Sequence, residues 1–430
     1  MPFSRLLTVR QKFPDRRLRD VPGSVQETLA AAGFAERAKP GAEVAIGVGS
    51  RGISNIATIT RAVVDYWKTA GAKPFIFPAM GSHGAASAEG QADVLAHYGI
   101  IEETMGCPIR SSLDVVPVGT TPDGIHVVLD KLAHASDGIM FIGRVKWHTD
   151  FEGAIESGLF KMMAIGLGKW AGAQHYHTHG LNKGMERTIR AIGRQVLVTG
   201  KIIGGLAILE DAYHNTAHVS AVPVAEMEQR EEALLELAKS WMGKIPMDLD
   251  LLIVDEFGKN ISGTGMDSKI VNRGSSGEVN PWSVAPKITR IFVRDLTAHT
   301  YGNAAGVGMA DVITERMANR INLAATYINV LTASHPGGGK IPVHFPTDRE
   351  CIERISKTCG RFDDAEIRMG RIHNTLELTP IVLSENLRRE IEANPLLEIA
   401  SDPYEIEFDG AGNLTPIRSE TPAVSLHVSR

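Results

Sequence analysis

The chain has 430 residues, 43% of them hydrophobic and 22% charged, with a formal net charge of −5. That length exceeds one ordinary core and points to two domains, and the composition is that of a water-soluble globular protein. The mild negative charge and 6% aromatic content exclude an electrostatic case for nucleic acid or an anionic membrane, and also a base-stacking surface. The N-terminal MPFSRLLTVRQKFPDRRLRD is charged throughout and does not read as a signal peptide, and no apolar run is long enough to span a membrane. Cys107, Cys351 and Cys359 form no CxxC pair, which fits a reducing cytoplasm and buried thiols.

In chain order, AEVAIGVGSRG (42–52) reads as a buried strand ending in a glycine-rich turn, followed by a helix that ends at Gly71. KPFIFPAMGSHG is a second strand-to-turn junction, and ASAEGQADVLAHYG a second helix, ending at Gly99. HASDGIMFIGRVKWHT repeats the apolar-then-polar pattern. Strands alternating with helices predict a mostly parallel α/β sheet, with ligands beyond the strand carboxyl ends. REEALLELAKSWMGK (230–244) is an amphipathic helix that closes the first half. DLDLLIVDEFGKNISGTG (248–265) and KITRIFVRDL (287–296) then open a second α/β unit. The expected architecture is therefore two α/β domains, 1–244 and 245–430, with an interdomain active-site cleft and a polar tail, 400–430, that packs back on the first domain.

The densest chemistry lies between His148 and His179, where four of the chain's fifteen histidines occur. Lys161 and His177 stand sixteen residues apart around a glycine-rich apolar segment. Such a pair can hold one group at two points, one covalent and one through a metal, with His148 placed to act on it. Lys161 lies among Leu159, Phe160, Met162 and Met163; burial favours a neutral, nucleophilic amine, and the plainer alternative is a lysine snorkelling from an amphipathic helix. His83, flanked by glycines, suits proton transfer or is simply a turn histidine bonded to a carbonyl. Arg51, after Ser50, can fork onto a carboxylate or phosphate or make a surface ion pair. Asp267 and Lys269, in GKNISGTGMDSK (258–269), can meet a polar substrate; the stretch is not a phosphate loop. His175, His177 and His179 together offer a zinc cluster, the basis of an alternative reading as a zinc-dependent hydrolase.

Together these segments resemble the nickel-dependent lactate racemase superfamily, most clearly from about 42 to 270. That resemblance implies a nickel-pincer nucleotide, a pyridinium mononucleotide whose sulfur arms and ring carbon bind nickel. Lys161 would hold it through a thioamide and His177 would supply the remaining nickel ligand. His83 and His148 match the catalytic histidines, although three extra residues follow His148. Arg51 matches the substrate-binding arginine, with Ser50 standing for a threonine. The sequence departs from the pattern at Val48, which replaces an aspartate, at Met266-Asp267, which replaces a Tyr-Gln pair, and at Lys269, shifted by one.

The resemblance implies a cytoplasmic racemase or epimerase that inverts the α-carbon of a 2-hydroxy acid by hydride transfer, with His83 and His148 as acid and base. Arg51 and Lys269 would fix the substrate carboxylate, and Met266 would sit near the cofactor. The cofactor phosphate would meet amides around Ser157–Gly158 or Ser50–Gly52. Asp267, an acceptor that repels a second carboxylate, favours a sugar acid or neutral-tailed substrate. The expected partners are this small molecule and, transiently, the cofactor-synthesis enzymes; a homo-oligomer is left open. The other alternative is a cofactor-binding homologue without racemase activity.

Overall fold

The computed structural model describes residues 3–49, 52–81 and 83–418. Pro14–Met242 forms one compact unit; the second joins the chain from Gly243 onward to the N-terminal segment ending at Phe13. Strands are numbered in chain order, and β1 (Leu6–Gln11) belongs to the second unit. The first unit holds β2 (Glu43–Val48), β3 (Lys73–Pro78), β4 (Val115–Thr120), β5 (His126–Asp130), β6 (Gly138–Arg144), β7 (Ile202–Glu210) and β8 (Thr216–Pro223).

Its main sheet has the order β3-β2-β6-β7-β8, parallel except for the antiparallel β7–β8 pair. β2 is paired on both edges by β3 and β6 and covered on both faces by apolar clusters, so its sequence, EVAIGV, is an apolar run rather than an alternation. Alternate residues still separate: Ala45 enters one core cluster with Phe77 and Phe141, while Val44, Ile46 and Val48 enter another. On the second side, helix Ile56–Thr69 buries Ile59, Val63 and Trp67, spaced four apart on one face. Each such side chain contributes roughly 1.5–3 kcal/mol by leaving water. Gly47 is required where it stands, because a Cβ there would lie 2.9 Å from the Phe77 ring and 3.3 Å from Phe141 Cβ.

The second unit contains β9 (Leu249–Phe257), β10 (Ile288–Leu296), β11 (Val312–Thr314), β12 (Val343–Phe345), β13 (Met369–Ile372), β14 (Ile381–Ser384) and β15 (Leu397–Ile399). With β1 they form one sheet ordered β12-β11-β10-β9-β13-β14-β1-β15. Its first five strands are parallel and the rest antiparallel. The mixed α/β class with mostly parallel sheets is the one the alternating pattern predicts.

Two assignments change. The N-terminal segment, grouped with the first domain from sequence order, pairs instead with β14 and β15 of the second unit. The described part of the tail packs on the second unit, where Tyr404 pairs with Leu6 of β1. Tyr404, Phe408, Leu414 and Ile417 lie on the apolar cluster around Leu251, Phe292 and Ile352 in their own unit. Long-range strand pairing and scattered apolar anchors leave no local periodicity, which is why the linear sequence hides both.

Candidate functional site

The site of the first unit is built where its parallel strands end. β3 runs through Pro78 into the turn that carries His83, and β6 through Arg144 into Lys146 and His148. The chain returns at Ser157, whose backbone pairs with that of Lys146, and Gly158 then opens a short helix, Leu159–Lys161. A single π-helical turn, Met162–Gly166, follows before helix Lys169–Lys183, which carries His175, His177 and His179. Such π turns recur at functional sites. A cavity of about 180 Å³ opens here, lined by His83, Arg144, Lys146, Ser157, Gly158 and Lys161, with Gly49, Met162 and Ile165 among its other walls.

Lys161 Nζ lies 2.7 Å from His148 Nε2. On the other side of the ring, the Asp150 N–H donates to His148 Nδ1 at 3.1 Å. An imidazole that accepts at Nδ1 carries its proton on Nε2. That proton must then meet a lone pair on Nζ, so both contacts are satisfied when Lys161 is a neutral amine. Phe151 stacks on the His148 ring with centroids 4.2 Å apart. Beneath the loop, buried Glu156 accepts the His148 N–H at 2.5 Å and the Gly153 N–H at 3.2 Å, and pairs with Lys239 Nζ at 3.0 Å. Burial pushes its carboxyl above the usual range, against the pull of these donors.

A second buried carboxyl supports Lys161 itself. Glu231 Oε2 accepts the Phe160 N–H at 2.8 Å, and the Leu159 amide also bonds this carboxyl. Burial raises its pKa to about 8. Its Oε1 has no partner among the described residues and would lie 2.1 Å from a Cβ at position 158, so Gly158 is needed. Ser157 and Gly158, the expected phosphate contacts, both line the cavity, and several amides around them are already engaged. The Ser157 N–H donates to the Lys146 carbonyl at 3.3 Å, and the next two amides after Gly158 serve Glu231. The anion-attracting groups of the cavity are the cationic side chains Arg144 and Lys146. Arg144 is steadied by Glu210 Oε2 at 2.6 Å and the Gly52 carbonyl at 2.8 Å.

His177 Nδ1 lies 2.6 Å from the Ala173 carbonyl, one turn back on the same helix. A carbonyl only accepts, so Nδ1 carries the proton and Nε2 holds the lone pair, the state a metal ligand requires. His177 does not line the cavity. The three-histidine zinc cluster does not form. His175 and His179 share a helix face, with Nε2 atoms 3.3 Å apart, whereas His177 points about 200° around the axis from His175. Among the described residues no group of three or more His, Cys, Asp or Glu side chains could hold a metal ion. Burial and the charges of His179 and His126 together depress the pKa of His175.

Ser50 and Arg51 lie outside the described residues. Met266, Asp267 and Lys269 belong to the second unit and are buried. The Asp267 carboxylate accepts the Lys269 N–H at 3.0 Å, closing a local turn, and its own N–H donates to Thr375 Oγ1 at 2.9 Å. Lys269 Nζ sits over the Trp282 ring, 3.7 Å from its centroid. Asp267, expected to face a substrate tail, is 3% exposed, and its carboxylate bonds within its own loop.

Sequence reading missed Arg144, Lys146, Glu231 and the buried Lys169. The cationic pair had a visible signal, two basic residues directly after an apolar run at a strand end. Glu231 and Lys169 had none, since each sits in a segment that also reads as an ordinary polar helix.

No family model matches the chain, and no characterised relative matches it by sequence. Among solved structures, the lactate racemase apoprotein from Thermoanaerobacterium thermosaccharolyticum superposes with a TM-score of 0.50 at 13% identity. The match covers 86% of this chain and 99% of that one. The chain therefore has a lactate-racemase-like α/β fold.

Proposed function

We propose that this protein is a racemase or epimerase of 2-hydroxy acids working with a nickel-pincer nucleotide held by Lys161. The observation that carries the reading is the 2.7 Å contact of Lys161 Nζ with His148 Nε2, whose bonding calls for a neutral amine at the cavity wall. The chemistry of the donor set suits the group: an amine nucleophile at Lys161 and the cations Arg144 and Lys146 for a phosphate on the cavity wall, and a nitrogen lone pair on His177 outside that lining. When bound, the cofactor accepts and returns the α-hydrogen of the substrate, which avoids a costly carbanion beside a single carboxylate.

The chain's own residues move the other proton. His148 and His83 are the acid and base at the substrate hydroxyl, one taking its proton and the other returning one. A thioamide at Lys161 would take up the amine lone pair that His148 Nε2–H meets, leaving that nitrogen to serve the substrate hydroxyl. Each histidine must be neutral in one direction and protonated in the other, so activity falls at both pH extremes. Arg51 holds the substrate carboxylate in this scheme.

The test is intact-protein mass after co-expression with the cofactor-synthesis enzymes and nickel. A cofactor-sized gain in the wild type that disappears in Lys161→Ala supports the tether, and screening of 2-hydroxy acids then separates a racemase from a homologue that only binds the cofactor. No gain, with cofactor production verified on a known lactate racemase, ends the proposal.

A further inference from the structure

His175 and His179 stand one helical turn apart on Lys169–Lys183, and their rings meet edge-on with centroids 4.7 Å apart. Their Nε2 atoms are 3.3 Å from each other. Two imidazole nitrogens bound to one tetrahedral zinc, each about 2.0–2.1 Å from the ion, stand about 3.3–3.4 Å apart. A square-planar ion would hold them nearer about 2.9 Å. The helix thus sets two nitrogens at the edge length of a tetrahedral site before any metal arrives, and i, i+4 histidines on one helix face are a recurring zinc-binding pair.

We infer that His175 and His179 form a two-ligand surface site for a divalent metal of the zinc type, distinct from the position of His177. His175 is exposed and His179 half-buried, so the ion enters from solvent and keeps water in its other positions. His126 also acts on His175 electrostatically, with its Nδ1 3.1 Å from Thr120 Oγ1, but it does not complete a three-ligand group. No third His, Cys, Asp or Glu among the described residues completes a ligand set, so the site is open rather than structural. Closing a ring across one turn also ties down the stretch of helix that carries His177. The inference needs neither the pincer cofactor nor the racemase reading.

Zinc alone is the probe. The purified full chain is titrated with Zn²⁺ against a chromophoric chelator, for the wild type and for His175→Ala, His179→Ala and His177→Ala. The expected result is one equivalent bound by the wild type and by His177→Ala, with affinity falling about tenfold or more in each of the other two. Zinc should also raise the melting temperature of the wild type but not of His175→Ala, since a ligand stabilises only the state that binds it. Circular dichroism checks that each substitution leaves the helix folded. Equal binding by wild type and His175→Ala, or loss confined to His177→Ala, overturns the inference, as does no uptake by the wild type.

Discussion

Lys169 Nζ donates to Gln91 Oε1 across 2.7 Å, in a place where neither side chain reaches solvent. The same ammonium donates to the Pro78 carbonyl at 2.8 Å and stands 3.5 Å from Asp130 Oδ2. Gln91 Nε2 passes the connection on, donating to the Gly81 carbonyl at 2.9 Å and the His83 carbonyl at 3.4 Å. One buried lysine at the start of the His177 helix therefore braces the turn that carries His83. Burial lowers the Lys169 pKa and raises that of Asp130, each opposed by the other's charge.

Removing one member strands the other. Lys169→Ala should destabilise the protein by about 3–5 kcal/mol, read as a lower midpoint in urea, because Asp130 is left buried without its counter-charge. Lys169→Met with Asp130→Asn should recover much of that loss. An unchanged midpoint in Lys169→Ala would show that the pair contributes nothing.

The carboxyl under Lys161 gives a pH signature. Glu231 titrates near 8 in the fold and near 4.5 in a solvated chain, so the folded state binds the extra proton between those values. Its contribution to stability is fully present below about 4.5 and is lost as pH rises through about 8. The slope within that window is up to about 1.4 kcal/mol per pH unit. Glu231→Gln should flatten the decline of stability from pH 5 to 8; an identical pH profile in the variant would refute this assignment.

Gly158→Ala tests the same contact sterically. The added methyl must displace Glu231 Oε1, from which it would lie 2.1 Å. A cost of roughly 1–3 kcal/mol is expected, seen as a melting temperature several degrees lower. A smaller residue at 231, as in Glu231→Ala, should reduce the penalty of the methyl in a double-mutant cycle.

A neutral amine is a reactive one. At pH 7 an amine-directed reagent should modify Lys161 about tenfold faster than the exposed Lys131 or Lys357, as mapped by peptide mass spectrometry. His148→Phe removes the Nε2–H that faces the amine and should bring Lys161 back toward the ordinary lysine rate. Equal modification of all three lysines in the wild type would contradict the bonding pattern at His148.

Local sequence accounts for much of the first unit. Short apolar runs followed by glycine or polar turns located β2, β3 and β6, because a strand covered on both faces must be apolar along its whole length. The spacing of Lys161 and His177 and the placement of His83 after a strand were equally visible, since they are properties of the chain alone. Spatial relations were not. The contact of His148 with Lys161 depends on a loop folded over Glu156 and stacked by Phe151. The division of His175 and His179 from His177 follows once the segment is known to be helical, because a two-residue step then turns nearly halfway around the axis. Lys169 and Glu231 look like surface residues in the sequence and are buried in the fold. Chain order determined which residue types could do chemistry here; only tertiary packing decided which of them meet, because desolvation and hydrogen-bond partners come from other segments, 71 residues away in the case of Glu231 and Phe160.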